Sequence, residues 1–227
     1  MSTVEKHNTD QKQSVQYYVK FSFTITYILL FTTATITFIE AIRTPNPVVR
    51  HVLNLETAIS VVAGYFYSVF VSKLDTNDWS EITKTRYIDW SITTPMMLLA
   101  LCAVLSNEIG KVVTLPIIAT IVVLNYLMLY IGYLGETGDI SRMSAMIGGF
   151  VPFILMFGIV YWQYVAPKYS LVNLVLFCLY LSVWTCYGFV YLLSESYKNI
   201  AMNVLDLLAK CLIGLGLWAY YTHIVQW

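Results

Sequence analysis

The stretch NVLDLLAKCLIGLGLW (Asn203–Trp218) has the composition of a membrane-spanning helix, yet it contains an aspartate and a lysine. Asp206 and Lys210 are four residues apart, so a helix places them on one face. A charged side chain near the centre of a bilayer costs roughly 2.5–3.5 kcal/mol on insertion scales. Both charges must therefore have partners inside the protein.

The composition of the whole chain is that of an integral membrane protein. Of its 227 residues, 58% are hydrophobic and 11% are charged, whereas a soluble domain carries about a quarter charged residues. The formal net charge is zero, and no basic run alternates with aromatic residues, so nucleic acid is not an expected partner. The four cysteines lie inside apolar segments, which argues against a disulfide framework and a metal site.

The apolar runs predict seven membrane-spanning helices of about 20 residues or more, joined by short polar loops. We therefore predict an all-α membrane protein: a polar N-terminal segment, residues 1–17, followed by one seven-helix bundle, residues 18–227. The segment has no cleavable signal pattern, so the first helix is expected to be retained. The predicted helices are Tyr18–Ile42, Val48–Leu74, Thr83–Leu105, Lys111–Gly135, Ile140–Val165, Tyr169–Leu193 and Tyr197–Ile224.

Polar residues recur at helical spacing, and each set must face the interior of the bundle because lipid does not accommodate them. Aromatic residues at this spacing usually form an ordinary core. The faces are Glu56, Ser60, Ala63 and Tyr67 on the second helix; Arg86, Asp89, Thr93, Met97 and Ala100 on the third; Asn125, Met128 and Gly132 on the fourth; Trp184, Tyr187, Tyr191 and Glu195 on the sixth; and Asn203, Asp206 and Lys210 on the seventh.

Lys210 favours a chemical role over a purely structural one. An amine in an apolar cavity tends to lose its proton, and a neutral amine is the species that condenses with a carbonyl to form a Schiff base. Once protonated, the imine needs a carboxylate as counterion. Asp206 lies one turn away, and Asp89 can face Lys210 across the bundle, while aromatic walls suit a long, flat, apolar aldehyde.

Several motifs resemble those of the microbial (type 1) rhodopsins, seven-helix proteins with retinal bound to a lysine of the seventh helix. RYIDWSITTP (Arg86–Pro95) is similar to the signature of the third helix, and LDLLAK (Leu205–Lys210) to that of the seventh. WTCYGFVY (Trp184–Tyr191) is similar to the aromatic positions of the sixth helix. The fourth-helix pocket pattern is matched by Asn125, Met128 and Gly132. Within the family, the chain most resembles the group 1 rhodopsins of giant viruses.

This resemblance implies that Lys210 binds all-trans retinal and that Asp89 and Asp206 are its counterions. Asp89 would also be the primary proton acceptor, hydrogen-bonded by Thr93, and Arg86 would lie just outside the pair. The remaining pocket residues implied by the resemblance are Trp90, Thr94, Met97, Met128, Gly132, Trp184, Tyr187 and Tyr191.

The residues beyond the Schiff base leave the mode of transport open. Outward proton pumps of the family have a carboxylic acid where this chain has Ala100, and Glu56 of the second helix is placed to substitute as proton donor. Alternatively, Glu56, Asn203 and Ser60 line a hydrated cytoplasmic cavity and act as a gate. A third interpretation is a glutamate near a helix end that extends to the membrane surface.

We favour a light-gated cation channel, with a light-driven outward proton pump as the first alternative and a sensory photoreceptor as the second. Pumps commonly have paired outer glutamates; here Glu195 is present but Lys198 occupies the second position, so fast proton release is not expected. A transporter or receptor without a chromophore would be unaffected by loss of Lys210. An enzyme is disfavoured, because no nucleophile–base pair, metal cluster or phosphate loop is evident.

Orientation and assembly are less directly encoded. Positive charges near the helix ends predict a cytoplasmic N-terminus, whereas the resemblance implies an extracellular N-terminus and a cytoplasmic C-terminus, which we prefer. The expected partners are the lipid bilayer, protons or small cations, and further copies of the chain in a trimer or pentamer.

Overall fold

A computed structural model describes residues 3–74 and 79–224, and these form seven helices that are long and apolar enough to cross a membrane. We call the side on which the first helix begins the amino side and the opposite side the carboxyl side. The helices are α1 (Thr3–Arg43), α2 (Pro47–Lys73), α3 (Trp79–Glu108), α4 (Leu115–Thr137), α5 (Arg142–Tyr164), α6 (Leu171–Val190) and α7 (Glu195–Tyr221).

Local sequence signals explain where several helices begin and end. The side chain of Asn46 accepts hydrogen bonds from the first backbone amides of α2, and Pro47 occupies a first-turn position that needs no amide proton. Ser141 and Ser170 cap α5 and α6 in the same way. Gly138 ends α4 with a φ of 85°, a left-handed conformation that glycine adopts without strain.

The predicted helix bounds agree with the structure to within about four residues, apart from the start of α1. This helix begins at Thr3 because the sequence has no proline or glycine before Pro45, so residues 3–17 continue the helix. Glu195 was predicted on the face of the sixth helix, but it begins α7. The reason is that α6 ends at Val190 and the chain turns before Ser194.

Sequential helices pack against each other, and α7 closes the bundle by packing against α1, α2 and α6. The outer faces expose apolar residues to lipid, whereas six charged residues are buried inside: Glu56 of α2, Arg86 and Asp89 of α3, and Lys198, Asp206 and Lys210 of α7. Asn173 anchors α6 to two neighbours, since its amide donates to the carbonyl oxygens of Leu105 on α3 and Tyr164 on α5, both at 2.9 Å. Cys178 and Cys186 lie on the exposed face of α6, and all four cysteines are free.

Candidate functional site

A buried ion pair lies at the centre of the bundle. The Nζ of Lys210 is 2.9 Å from Oδ2 of Asp89 on α3 and 3.6 Å from Oδ1 of Asp206 on its own helix. The three side chains are at most 1% exposed. In this environment a lysine charge persists only because carboxylates compensate it, so the two predicted counterions do lie beside the predicted lysine.

The backbone around Lys210 is a π-helical turn. Leu207–Leu212 interrupts α7, which is α-helical before it at Glu195–Asp206 and after it at Ile213–Tyr221. Single π-helical turns inside α-helices are rare and frequently occur at functional sites. No local pattern predicts this turn, because none of its six residues is a helix breaker.

Asp206 is fixed by hydrogen bonds from two tyrosines. Tyr67 donates to Oδ2 at 2.7 Å and Tyr187 to Oδ1 at 2.6 Å. The guanidinium of Arg86 also reaches Oδ2, at 3.3 Å. Both carboxylate oxygens therefore have donors. Helical spacing had placed Tyr67 on the inner face of α2 without identifying its partner.

Asn203 does not lie where the cytoplasmic-gate interpretation requires. Its Oδ1 accepts from Arg86 at 2.8 Å and lies 2.9 Å from the hydroxyl oxygen of Tyr67, in the amino half of the bundle. Glu56 lies in the carboxyl half, near Gly214 of α7. The two residues are separated because α2 and α7 run in opposite directions, so the first half of each helix lies in a different half of the membrane.

Thr93 also departs from its predicted role. Its hydroxyl donates to the backbone carbonyl of Asp89 at 2.9 Å, not to the carboxylate. Threonines in helices commonly bond the carbonyl four residues earlier, which uses their only proton. As a result, Oδ1 of Asp89 is buried without a hydrogen-bond partner.

A cavity opens beside Lys210, between α3, α4, α5, α6 and α7. All eight residues predicted to complete the pocket line it: Trp90, Thr94, Met97, Met128, Gly132, Trp184, Tyr187 and Tyr191. Sequence reasoning missed the wall formed by α5, which consists of Ala145, Met146, Gly149, Phe150 and Phe153. Small and apolar residues give no chemical signal in an apolar helix.

Glu56 and Ser60 lie on the other side of Lys210, in the carboxyl half. Glu56 is 1% exposed and Ser60 is fully buried, and neither Oε1 of Glu56 nor Oγ of Ser60 has a hydrogen-bond partner among the residues that the structure describes. A Cβ atom on Gly214 would lie only 3.1 Å from Oε2 of Glu56, so this glycine makes room for the carboxyl group. Tyr180 and Tyr221 are near enough to interact with it electrostatically.

Four charged residues form a cluster at the amino end. The Nζ of Lys198 is 2.9 Å from both carboxylate oxygens of Glu136 and 2.8 Å from Oε1 of Glu195. Arg142 bridges the same two carboxylates, at 3.1 Å and 2.5 Å. The sequence placed Lys198 at the position of the second outer glutamate, but its ion pairs with Glu195 and Glu136 were not predicted. The cluster joins the end of α4 to the starts of α5 and α7.

The family model for bacteriorhodopsin-like proteins matches residues 18–224. The chain is a member of the bacteriorhodopsin-like family. No curated protein sequence matches it. Among solved structures, the viral rhodopsin OLPVRII is 41% identical, with a TM-score of 0.87, and the alignment covers 92% of this chain and 99% of that one. The similarity to a viral rhodopsin agrees with the sequence motifs.

Other solved rhodopsins share the fold at lower identity. Acetabularia rhodopsin I is 20% identical with a TM-score of 0.77, over 92% of this chain and 95% of that one. Xanthorhodopsin, a light-driven ion pump with a dual chromophore, is 20% identical with a TM-score of 0.74, over 90% and 92% of the two chains. This rhodopsin is therefore a multi-pass protein of the lipid bilayer whose family serves light-driven ion transport.

Retinal is the chromophore of this family, and the site fits it. The cavity is lined mainly by aromatic, methionine and glycine residues, which suit an apolar polyene. Lys210 lies in the same wall, together with Asp206, so an aldehyde in the cavity would reach the amine. The unpartnered Oδ1 of Asp89 offers an acceptor beside that nitrogen.

Asp89→Asn should shift the visible absorption of the retinal-bound protein to longer wavelength. The substitution removes the negative charge nearest to the Lys210 nitrogen, and that charge stabilises the ground state of a protonated imine. Absorption spectra of the purified pigments measure the shift. Glu56→Gln is the matched control, since it replaces a second buried carboxyl group, one that does not contact Lys210. An unchanged spectrum for Asp89→Asn would reject Asp89 as counterion.

Proposed function

We propose that Lys210 carries all-trans retinal as a Schiff base, with Asp89 and Asp206 as the counterion pair. Two observations support this assignment: Lys210 lines the apolar cavity, and it is the lysine that contacts both buried aspartates. Lys198, the other fully buried lysine, is paired with Glu136 and Glu195 at the amino end. When bound, retinal would supply the light-absorbing polyene, whose isomerisation would change the environment of the proton that the Lys210 nitrogen holds.

Lys210→Ala should abolish the visible pigment, because Lys210 is the only lysine among the described residues that line the cavity. The measurement is the absorption spectrum after addition of all-trans retinal. Borohydride reduction of the unmodified protein, followed by peptide mass analysis, gives a readout that does not depend on folding of a variant. A retinyl group on the peptide containing Lys198 or another lysine would contradict the assignment.

We further propose that the protein is a light-driven outward proton pump. The observation that carries this proposal is the pair of unpartnered carboxyl oxygens on opposite sides of Lys210. Oδ1 of Asp89 lies on one side, and Oε1 of Glu56 lies on the other. These are the positions needed for a proton acceptor and a proton donor.

Asp89 is better suited than Asp206 to accept the proton. Both oxygens of Asp206 already receive hydrogen bonds, from Tyr67 and Tyr187, and protonating either would disrupt one of them. Asp89 receives a bond only on Oδ2, from Lys210, and its other oxygen is free to hold a proton. The proton therefore moves from the Lys210 nitrogen to Asp89.

Glu56 is suited to return a proton to the Lys210 nitrogen. No cation lies within 4.0 Å of its carboxylate among the residues that the structure describes, and burial of a carboxyl group without compensating charge favours its neutral form. A protonated acid in the carboxyl half is a donor rather than a cation-binding group. Ser60, one turn further along α2, presents an unpartnered hydroxyl on the same face.

The charges of the amino half favour a pump over a cation channel. Arg86 and Lys198 are buried there, at 2% and 1% exposure. Each is held in ion pairs with carboxylates, and these pairs would have to separate before a hydrated cation could pass. The channel favoured by the sequence motifs relied on Glu56 and Asn203 sharing one cavity, whereas these residues lie in different halves. The channel remains a prediction, but it no longer has the support of a cavity shared by Glu56 and Asn203. The outward direction of the proposed pump follows if the amino side lies outside the cell.

Voltage-clamp photocurrents in retinal-supplied cells should stay outward at every accessible holding potential. A pump moves protons in a direction fixed by the protein, whereas a channel current reverses when the electrochemical gradient reverses. Cells that express Lys210→Ala, which lacks the proposed attachment site for retinal, are the control. A current that reverses with the cation gradient would establish the channel, and a normal pigment without current would favour the sensory photoreceptor.

Glu56→Gln should slow reprotonation of the Lys210 nitrogen by about 10²-fold or more, the range expected for loss of a general acid. The recovery of visible absorption after a laser flash measures this rate, and added azide, a small permeant acid, should restore it. Glu108→Gln, an exposed carboxylate at the carboxyl end of α3, is the control. Unchanged recovery in Glu56→Gln would remove Glu56 as donor while leaving the retinal assignment intact.

A further inference from the structure

Arg86 is held mainly by neutral groups rather than by a carboxylate. Its Nη2 donates to Oδ1 of Asn203 at 2.8 Å and to Oδ1 of Asn199 at 3.2 Å. Its Nη1 lies 3.1 Å from the hydroxyl of Tyr67 and 3.3 Å from Oδ2 of Asp206. The shortest bond from this guanidinium is thus to an amide, although an aspartate lies within reach.

The amide of Asn203 is itself fixed in orientation. Its Oδ1 accepts from Arg86 at 2.8 Å, and its Nδ2 donates to the hydroxyl of Ser22 on α1 at 3.0 Å. The side chain is fully buried. Rotating it by half a turn would place a donor against the guanidinium, so the Ser22 contact holds the oxygen toward Arg86.

The remaining surroundings of Arg86 leave it little room to move. Asn199 is tethered to its own helix, because its Nδ2 donates to the carbonyl of Glu195 at 2.9 Å. Three aromatic rings, of Phe23, Tyr67 and Phe70, lie 5.2–5.7 Å from the guanidinium carbon. These rings add cation–π attraction. Arg86 is thus enclosed by α1, α2 and α7.

We propose that Asn203 and Asn199 are positioning residues that hold Arg86 beside the counterion pair, and that this position sets the colour and acid sensitivity of the pigment. The groups that face Arg86 are Asp206 on α7, Tyr67 on α2 and Tyr187 on α6. Those that face Asp89 are Lys210, Asp206 and Arg86. Arg86 is therefore the one cation besides Lys210 among the groups facing Asp89, and displacing it weakens the stabilisation of the aspartate's negative charge.

The test is an acid titration of the visible absorption of Asn203→Leu, a substitution that keeps the approximate volume of the side chain and removes both hydrogen bonds of the amide. We expect the midpoint of the acid-induced red shift to rise by about one pH unit, a tenfold change in proton affinity. Asn173→Leu is the matched control: it removes a buried asparagine that joins three helices far from the counterion, so it should lower thermal stability and leave the midpoint unchanged.

The same titration in an Arg86→Gln background separates action through Arg86 from a direct effect on Asp206. If Asn203 acts by positioning Arg86, its substitution should add little once Arg86 is absent. Equal shifts in the two backgrounds would overturn the proposal, as would equal midpoints for Asn203→Leu and the unmodified protein.

A second variant keeps the test decisive if Asn203→Leu does not fold. Asn199→Leu removes the longer, 3.2 Å bond and should shift the midpoint in the same direction by a smaller amount; no shift would overturn the role of Asn199. The inference rests on the retinal assignment of Lys210 and not on the direction of transport. Absence of pigment in the unmodified protein would refute that assignment, whereas a pigment with unaltered titration would refute only the positioning role.

Discussion

The contact between Lys210 and Asp89 organises the interior of the protein, because a lysine charge in a lipid-embedded bundle must be compensated within a few ångströms. The 2.9 Å bond to Asp89 and the 3.6 Å approach to Asp206 supply two negative charges for one positive charge. Arg86 supplies the second positive charge, at 3.3 Å from Asp206. The group is then neutral by formal count, and each member depends on the others.

Keeping this group of charges buried restricts the residues that surround Asp206 and Lys210. Asp206 needs donors on both oxygens, and Tyr67 and Tyr187 provide them from α2 and α6. Lys210 must point into the cavity and also reach Asp89. It lies within the π-helical turn at Leu207–Leu212. The tyrosines thereby tie α2 and α6 to α7, so the electrostatic centre also serves as a packing centre.

The charged residues of the site could be predicted from the sequence. Asp89, Asp206 and Lys210 lie in otherwise apolar helices, so each could face only the interior, and helical spacing then brought them together. The fold followed from seven apolar runs with short loops. The wall formed by α5 could not be predicted, because residues such as Gly149 and Phe153 line a cavity only through their position.

Neutral polar residues were harder to place, for two different reasons. The Thr93 hydroxyl can donate its one proton either to a backbone carbonyl of its own helix or to the carboxylate of Asp89. No sequence pattern distinguishes these two hydrogen bonds. Asn203 was misplaced although the information was available: its helix runs antiparallel to that of Glu56, so equal distances from the helix starts mean opposite halves of the membrane.

The two halves of the bundle differ in a way that bears on the direction of proton movement. Around Arg86 the polar side chains are bonded to one another, from Ser22 and Asn203 to Tyr67 and Asp206. Around Glu56 the carboxyl oxygen Oε1 and the hydroxyl of Ser60 have no hydrogen-bond partner in the described part of the chain. A water molecule needs two to four polar partners to be held in a protein interior, and these two groups are where water can enter the carboxyl half. In the proposed pump, the bonded half would hold the proton acceptor beside the Lys210 nitrogen, and the carboxyl half would return a proton through the water that these two groups bind.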